Sequence, residues 1–360
     1  MPKDKLNLPS PEESKKLYEL AGRVKALSPW EWMEESDLFG VQNPETGEIG
    51  FISIMGMAGE HFAVSVYQGP EGLYGFWNLE DNGPLADPQQ ILEIPQLQAS
   101  FEDRDQLEKQ DRDLIKKLGL KYRGQHAWPM FRAFRPGFLP WFVNSAEARF
   151  LACALEQTLE VAPRVKEDPD ILFDENDEDD EVYLVRVPRE PEGVLYWEDR
   201  MMRIPPPRPQ QIPVVMEPGL MEKAARLPHV RLSLEMDFFS MPTPIAERGQ
   251  RPYLPYMMMV ADSQTGMILG ADLTQPEPTL EEMWGRIPQS LVESCVQNGS
   301  VPEQITVRSD RLYQLFLPLA QMLKFRLRHS DELPALDKAL NSMSQMLMPD
   351  LFEDEFEDDK

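Results

Sequence analysis

Residues 251–275 read RPYLPYMMMVADSQTGMILGADLTQ. Apolar residues flank the segment Asp262-Ser-Gln-Thr-Gly266, and a glycine there supplies the positive-φ position of a tight turn, so a β-hairpin is predicted. Asp262 then opens the turn, where its carboxylate can bond the backbone two residues on, and Asp272 is a polar residue at the end of the second strand. Met257, Met258 and Met259 lie in a strand whose successive side chains face opposite sides, and they are predicted to fill core beneath a helix.

The segments around the hairpin extend the pattern. HVRLSLEMDFF (229–239) precedes it as a strand. After it come a helix (279–299), the strand QITVRSD (304–310), a helix (311–323), the strand KFRLRH (324–329) and a final helix (332–343). This βββαβαβα order predicts a mixed sheet with helices on its faces.

Toward the N-terminus, Ser10-Pro11 with Glu13 is a capping box, continued by Leu17, Leu20, Val24 and Leu27 on one helical face. Residues 37–67 alternate around Pro-Glu-Thr-Gly as a three-stranded meander. Its predicted cover is the first helix, the stretch after Gly69, a helix near 103–119 and a helix capped by Ser145. The class is therefore α+β with two domains: an antiparallel meander covered by helices in residues 1–163, and the mixed sheet in 182–348. Between them, 164–181 forms an acidic linker, and 349–360 an acidic disordered tail. The linker's carboxylate spacing is similar to a calcium loop but lacks the glycine of its sharp turn. The strands EVYLVRVP (181–188) and GVLYWEDRMMRIP (193–205) are assigned to the second domain.

A chain of 360 residues exceeds one ordinary core, which agrees with two domains. The net charge of -26 opposes association with nucleic acid or an anionic membrane. No apolar run is long enough to span a bilayer, and the first residues lack the apolar core of a signal peptide, so a cytoplasmic protein is expected. Cys153 and Cys295 sit in helical patterns as small buried residues. His61, His126, His229 and His329 are scattered, so no Cys/His zinc cage is expected.

HAWPMFRAFRPGFLPWF (126–142) interleaves Trp128, Phe131, Phe134, Phe138, Trp141 and Phe142 with Arg132 and Arg135. Three prolines and a glycine forbid a continuous helix, so an irregular arm is predicted. Such residues can anchor a protein partner, or they can pack the arm onto the first sheet.

The βββαβαβα order resembles the ribonuclease H-like fold of retroviral integrases and transposases. That resemblance implies two metal ions, Mg²⁺ or Mn²⁺, held by Asp237 in EMDFF, Asp310 in VRSD, and Asp331 or Glu332 in HSDELP. Helix capping is the other reading of Asp310 and Asp331. From 229 to 347 there are 10 basic and 14 acidic residues, which is not a surface for a phosphate backbone. The whole chain resembles a group of uncharacterised bacterial two-domain proteins. The segments that carry this are LYELAGRVKALSPWEWMEESDLFGVQNPETGEIG, WPMFRAFRPGFLPWFVNSAEARFLACALEQTLEVA and PYMMMVADSQTGMILGADLTQPEPTLEEMW.

The expected function is a non-catalytic binding or scaffold protein without cofactor or metal. It would engage a protein partner through Trp128, Phe131, Arg132, Arg135 and Trp141. The alternative is a degenerate ribonuclease H-like nuclease using Asp237, Asp310 and Glu332.

Overall fold

The computed structural model describes residues 7–82, 90–173, 181–190, 194–207, 212–241, 243–246 and 249–347. The chain divides into two compact units, Met1–Pro209 and Gln210–Lys360, both α+β. The core of the acidic linker (174–180) and the acidic tail (349–360) lie outside the described residues.

In the first unit, α1 (Pro11–Leu27) starts with the expected capping box. Ser10 Oγ accepts from Glu13 N at 3.1 Å, and Glu13 Oε2 accepts from Ser10 N at 2.7 Å. Glu13 also accepts from Ser145 Oγ at 2.8 Å and from Arg149 Nη1 at 2.8 Å, which joins the starts of α1 and α4 (Ser145–Glu167). The Arg149 guanidinium and then the Ser10 amide hold the Glu13 carboxyl down at about 2. The N-cap of α4 is Asn144, whose Oδ1 accepts from Glu147 N at 2.9 Å, one residue before the expected Ser145.

The meander is β1 (Phe39–Gln42), β2 (Ile49–Met55) and β3 (Ala63–Gln68). Beyond it lie α2 (Gly69–Asn82), β4 (Gln96–Glu102), α3 (Lys109–Lys117), β5 (Trp128–Phe134), β6 (Val182–Arg189) and β7 (Tyr196–Arg203). Together the strands make one seven-stranded sheet in the order β5-β4-β3-β2-β1-β6-β7. One face carries Ile52, Ile54, Val64, Val66, Leu97 and Phe131 against Leu17, Val24, Leu151 and Leu155 of α1 and α4. The other carries Phe51, Tyr67 and Val185 against Leu73 and Phe76 of α2.

Three expectations are corrected here. The strands at 181–188 and 193–205 belong to the first unit: β6 pairs in parallel with β1 (Gly40 opposite Val185) and β7 pairs antiparallel with β6. Parallel pairing across some 140 residues leaves no trace in local periodicity, so it could not be read from the sequence. Helix α4 runs through Pro163 to Glu167, and a 3-10 turn at Pro169–Leu172 buries Leu172, so the linker does not start at 164. The segment 126–142 is not an irregular arm. Trp128–Phe134 is the edge strand β5, where Pro129 is tolerated because an edge residue can lack a donor.

The second unit contains α5 (Pro218–Ala224), β8 (His229–Ser240), β9 (Tyr256–Asp262), β10 (Ile268–Thr274), α6 (Leu280–Asn298), β11 (Val301–Val307), α7 (Asp310–Leu323), β12 (Arg326–His329) and α8 (Pro334–Leu347). Its five-stranded sheet has the order β10-β9-β8-β11-β12. The pairs β10–β9 and β9–β8 are antiparallel, whereas β8–β11 and β11–β12 are parallel. The methionines divide between the two faces as their alternation requires: Met258 packs with Trp284 and Ile287 of α6, and Met257 and Met259 pack with Leu336 of α8 and with Leu333 just before it. Among the described residues, no helix is long and apolar enough to cross a membrane.

Candidate functional site

The aromatic-arginine segment is built into the fold. Phe131 and Arg132 are buried. The Arg132 guanidinium forms a two-pronged pair with Asp111 of α3, at 2.6 and 3.0 Å, donates to the Phe131 carbonyl and lies 4.5 Å from the Phe142 ring centre. Arg135 is exposed but pairs with Glu147 at 2.9 Å. Trp128 is partly buried against the core with Tyr122, and Trp141 bridges to the backbone of Ala133. These side chains clamp α3 and the 135–142 turn onto the edge strand, and they form no exposed apolar patch.

The three carboxylates carried over from the integrase resemblance lie in separate surroundings. Asp237, on the α8 side of β8, is buried. It accepts from the Phe238 amide at 2.9 Å and lies 3.7 Å from Arg308 Nε, while Arg308 also pairs with Asp337 of α8. Burial raises the Asp237 carboxyl, and Arg308 opposes that only in part. Asp310 is exposed at the first turn of α7 and lies 3.3 Å from His329 Nε2. The α7 cap is Ser309, not Asp310. Glu332 is exposed, and its amide donates to Ser330 Oγ at 3.3 Å. The last helix is not capped by Asp331 either: Glu235 Oε2 accepts from the Ala335 and Leu336 amides at 2.8 and 3.1 Å. Among the described residues, no group of three His, Cys, Asp or Glu side chains could hold a metal ion.

Asp237 therefore lends itself to a pH test. Its folded-state value is raised, so its charge costs stability above that value, and the cost vanishes once the pH falls below the unfolded one. The variant Asp237→Asn is expected to melt at or above the wild-type temperature at pH 7, with the gap closing as the pH falls. Lower stability of the variant at pH 7 would show that the charged form is needed in the fold.

Asp262 performs the turn role expected of it: Oδ1 accepts from the Gln264 amide at 2.8 Å, and this bond lowers its carboxyl. Both cysteines are buried and free. Burial pushes the Cys153 thiol up to about 12 and the Cys295 thiol up to about 11, so neither is a nucleophile at neutral pH.

The remaining feature is β10, which among the described residues has a neighbouring strand on one side only. Sheet edges are normally blunted by charge, shortness or cover. β7 carries Glu198, Asp199, Arg200 and Arg203, and β12 has four residues, of which Arg326, Arg328 and His329 are charged or titratable. β5 is bridged by Trp141. β10 has seven residues and one charge, Asp272, while Met267, Ile268, Leu269 and Leu273 are 38–59% exposed. The hairpin is legible in the sequence, whereas the exposure of its outer strand was not expected. The signal was MILGADL, apolar at both parities and without a lysine, where a strand with one solvated face would alternate.

Two family models match the chain. Residues 15–186 match Domain of unknown function (DUF7309), and residues 220–344 match Domain of unknown function (DUF6930). The first match runs from α1 into β6, and the second runs from within α5 into α8. The search of curated proteins found no match.

Proposed function

We propose that this protein is a non-catalytic binding module whose working surface is the β10 edge, which accepts an extended segment of a protein by strand addition. The observation that carries the reading is the contrast between β10 and the other three sheet edges. Strand addition takes its affinity from main-chain hydrogen bonds and its specificity from alternate side chains. The backbone of β10 suits it. Asp262 donates its N–H to Met267 O and accepts from Gly266 N, so alternate residues of β9 from Asp262 back through Val260 and Met258 aim their backbone groups at β10. Their partners Gly270 and Asp272 are thereby satisfied, which turns the N–H and C=O of Ala271 and Leu273 outward.

We read the second unit as ribonuclease H-like. Its support is a sheet in which the first strand is central, flanked by an antiparallel pair on one side and two parallel strands on the other. Within that reading the unit is non-catalytic, because Asp237 is engaged by Arg308 and Glu235 by the start of α8.

The test is amide hydrogen exchange on the dilute full chain with a short peptide of alternating valine and threonine and lysines at its ends. Exchange at Ala271 and Leu273 should slow when the peptide is added, while β7 and β12 are unaffected. Unchanged exchange at both amides, at any peptide concentration that keeps the chain in solution, would refute strand addition at this edge.

A further inference from the structure

Resting on the reading of β10 as a strand-addition edge, we propose that its occupant is a basic amphipathic segment of a partner protein, an extended strand that alternates apolar residues with lysine or arginine. Two features of the edge select this chemistry: the faces on which its side chains lie, and its charge.

The ladder between β9 and β10 is regular from Gly270 to Thr274, and within that stretch Ala271 and Leu273 offer the outward backbone groups. They sit opposite Met259 and Met257, on the face that α8 covers. Asp272 sits opposite Met258, on the face that α6 covers. Ala271, Asp272 and Leu273 are all exposed, so neither helix shields this edge. In an antiparallel addition, the residues opposite Ala271 and Leu273 fall on the α8 face. An apolar side chain there continues the layer of Met257, Met259 and Leu273, the last of which is 58% exposed. The residue between them falls opposite Asp272 in a non-hydrogen-bonded pair, whose Cα atoms are only about 4.5 Å apart. A basic side chain in that place meets the carboxylate directly, whereas an acidic one is repelled.

Charge points the same way beyond Asp272. From Tyr256 to Gly285 the sequence holds five carboxylates, Asp262, Asp272, Glu277, Glu281 and Glu282, and no lysine, arginine or histidine. Two of the other edge strands carry arginines instead: Arg200 and Arg203 on β7, Arg326 and Arg328 on β12. The net charge of -26 draws cationic segments toward the protein and repels acidic ones, second copies of this chain included.

The test adds three peptides to the dilute full chain and follows amide exchange at Ala271 and Leu273. They are the valine-threonine peptide and two forms of it whose central threonine is lysine or glutamate. At low salt, half-protection should need about tenfold less of the lysine form than of the glutamate form, with the threonine form between them. The gap should narrow as salt rises. Asp272→Asn should bring the three peptides within about twofold of one another, and Asp272→Lys should reverse their order. Asp310→Asn is the control: that residue is exposed on α7, and its substitution should leave the wild-type ranking in place. Equal protection by all three peptides overturns the basic partner and leaves strand addition standing. A lysine preference that survives in Asp272→Lys overturns it too, because the charge is then read elsewhere. If none of the peptides slows exchange at either amide, strand addition itself fails and this proposal falls with it.

Discussion

Replacing Arg132 by methionine is expected to lower the stability of the first unit by about 3–5 kcal/mol, the largest effect foreseen for a single charged residue in this protein. The Asp111 carboxylate it pairs with is only 7% exposed, as is the guanidinium itself. With the partner gone, a desolvated anion would remain between α3 and β5, with the Glu108 amide still donating to its Oδ2 at 3.0 Å. The double variant Asp111→Leu/Arg132→Met removes both charges and should recover most of the loss, since a well-packed apolar pair commonly equals a buried ion pair. Urea melts of the two singles and the double test this. If Arg132→Met cost less than about 1 kcal/mol, the pair would be behaving as a solvated surface bridge. The experiment also bears on function, because an arm that served only a partner could lose its arginine without harm to the fold.

The second large effect is expected at Gly285, inside α6. A glycine there is costly to a helix by about 1 kcal/mol relative to alanine, so on propensity alone Gly285→Ala should stabilise. The structure reverses the sign. The segment before α5 crosses the helix at this point, with Val215 N–H bonded to the Gly285 carbonyl at 3.1 Å, and an added Cβ would run into the Pro213 carbonyl oxygen. A backbone carbonyl cannot swing aside as a side chain can. The crossing segment must lift, which exposes Ile212 and Met216 from the core they pack against. The expected cost is about 2–4 kcal/mol, from overpacking together with a lost hydrogen bond. Stabilisation by Gly285→Ala in a thermal melt would mean that the crossing segment is only loosely held. Gly22 in α1 is the comparison: nothing lies within 4 Å of a Cβ there, so Gly22→Ala should follow propensity and stabilise.

What could be read from the sequence was whatever depends on near neighbours. The Ser10–Glu13 box, the Asp262 turn and the partition of Met257, Met258 and Met259 between two faces all follow from rules that span four residues or fewer. The α+β class and the presence of two domains followed as well, from the length and the alternation of periodicities. The aromatic-arginine segment shows where such reading stops. Its composition marked it as unusual, yet whether Arg132 faces solvent or Asp111 depends on a helix 21 residues away in sequence. The same limit applies to Asp237, whose neighbour Arg308 arrives on a parallel strand.

Near-neighbour rules thus account for the local elements and the hairpin at 251–275, and composition accounts for the strong negative charge. Long-range contacts set β6 and β7 into the first sheet, brought Arg308 beside Asp237 and, among the described residues, left β10 with a strand on one side only. The reason is physical. Helix caps, turns and side-chain alternation are set by torsions and hydrogen bonds within a few residues, whereas strand order and exposure depend on contacts closed over long loops, whose entropic cost changes only slowly with length and so favours no particular partner in the sequence.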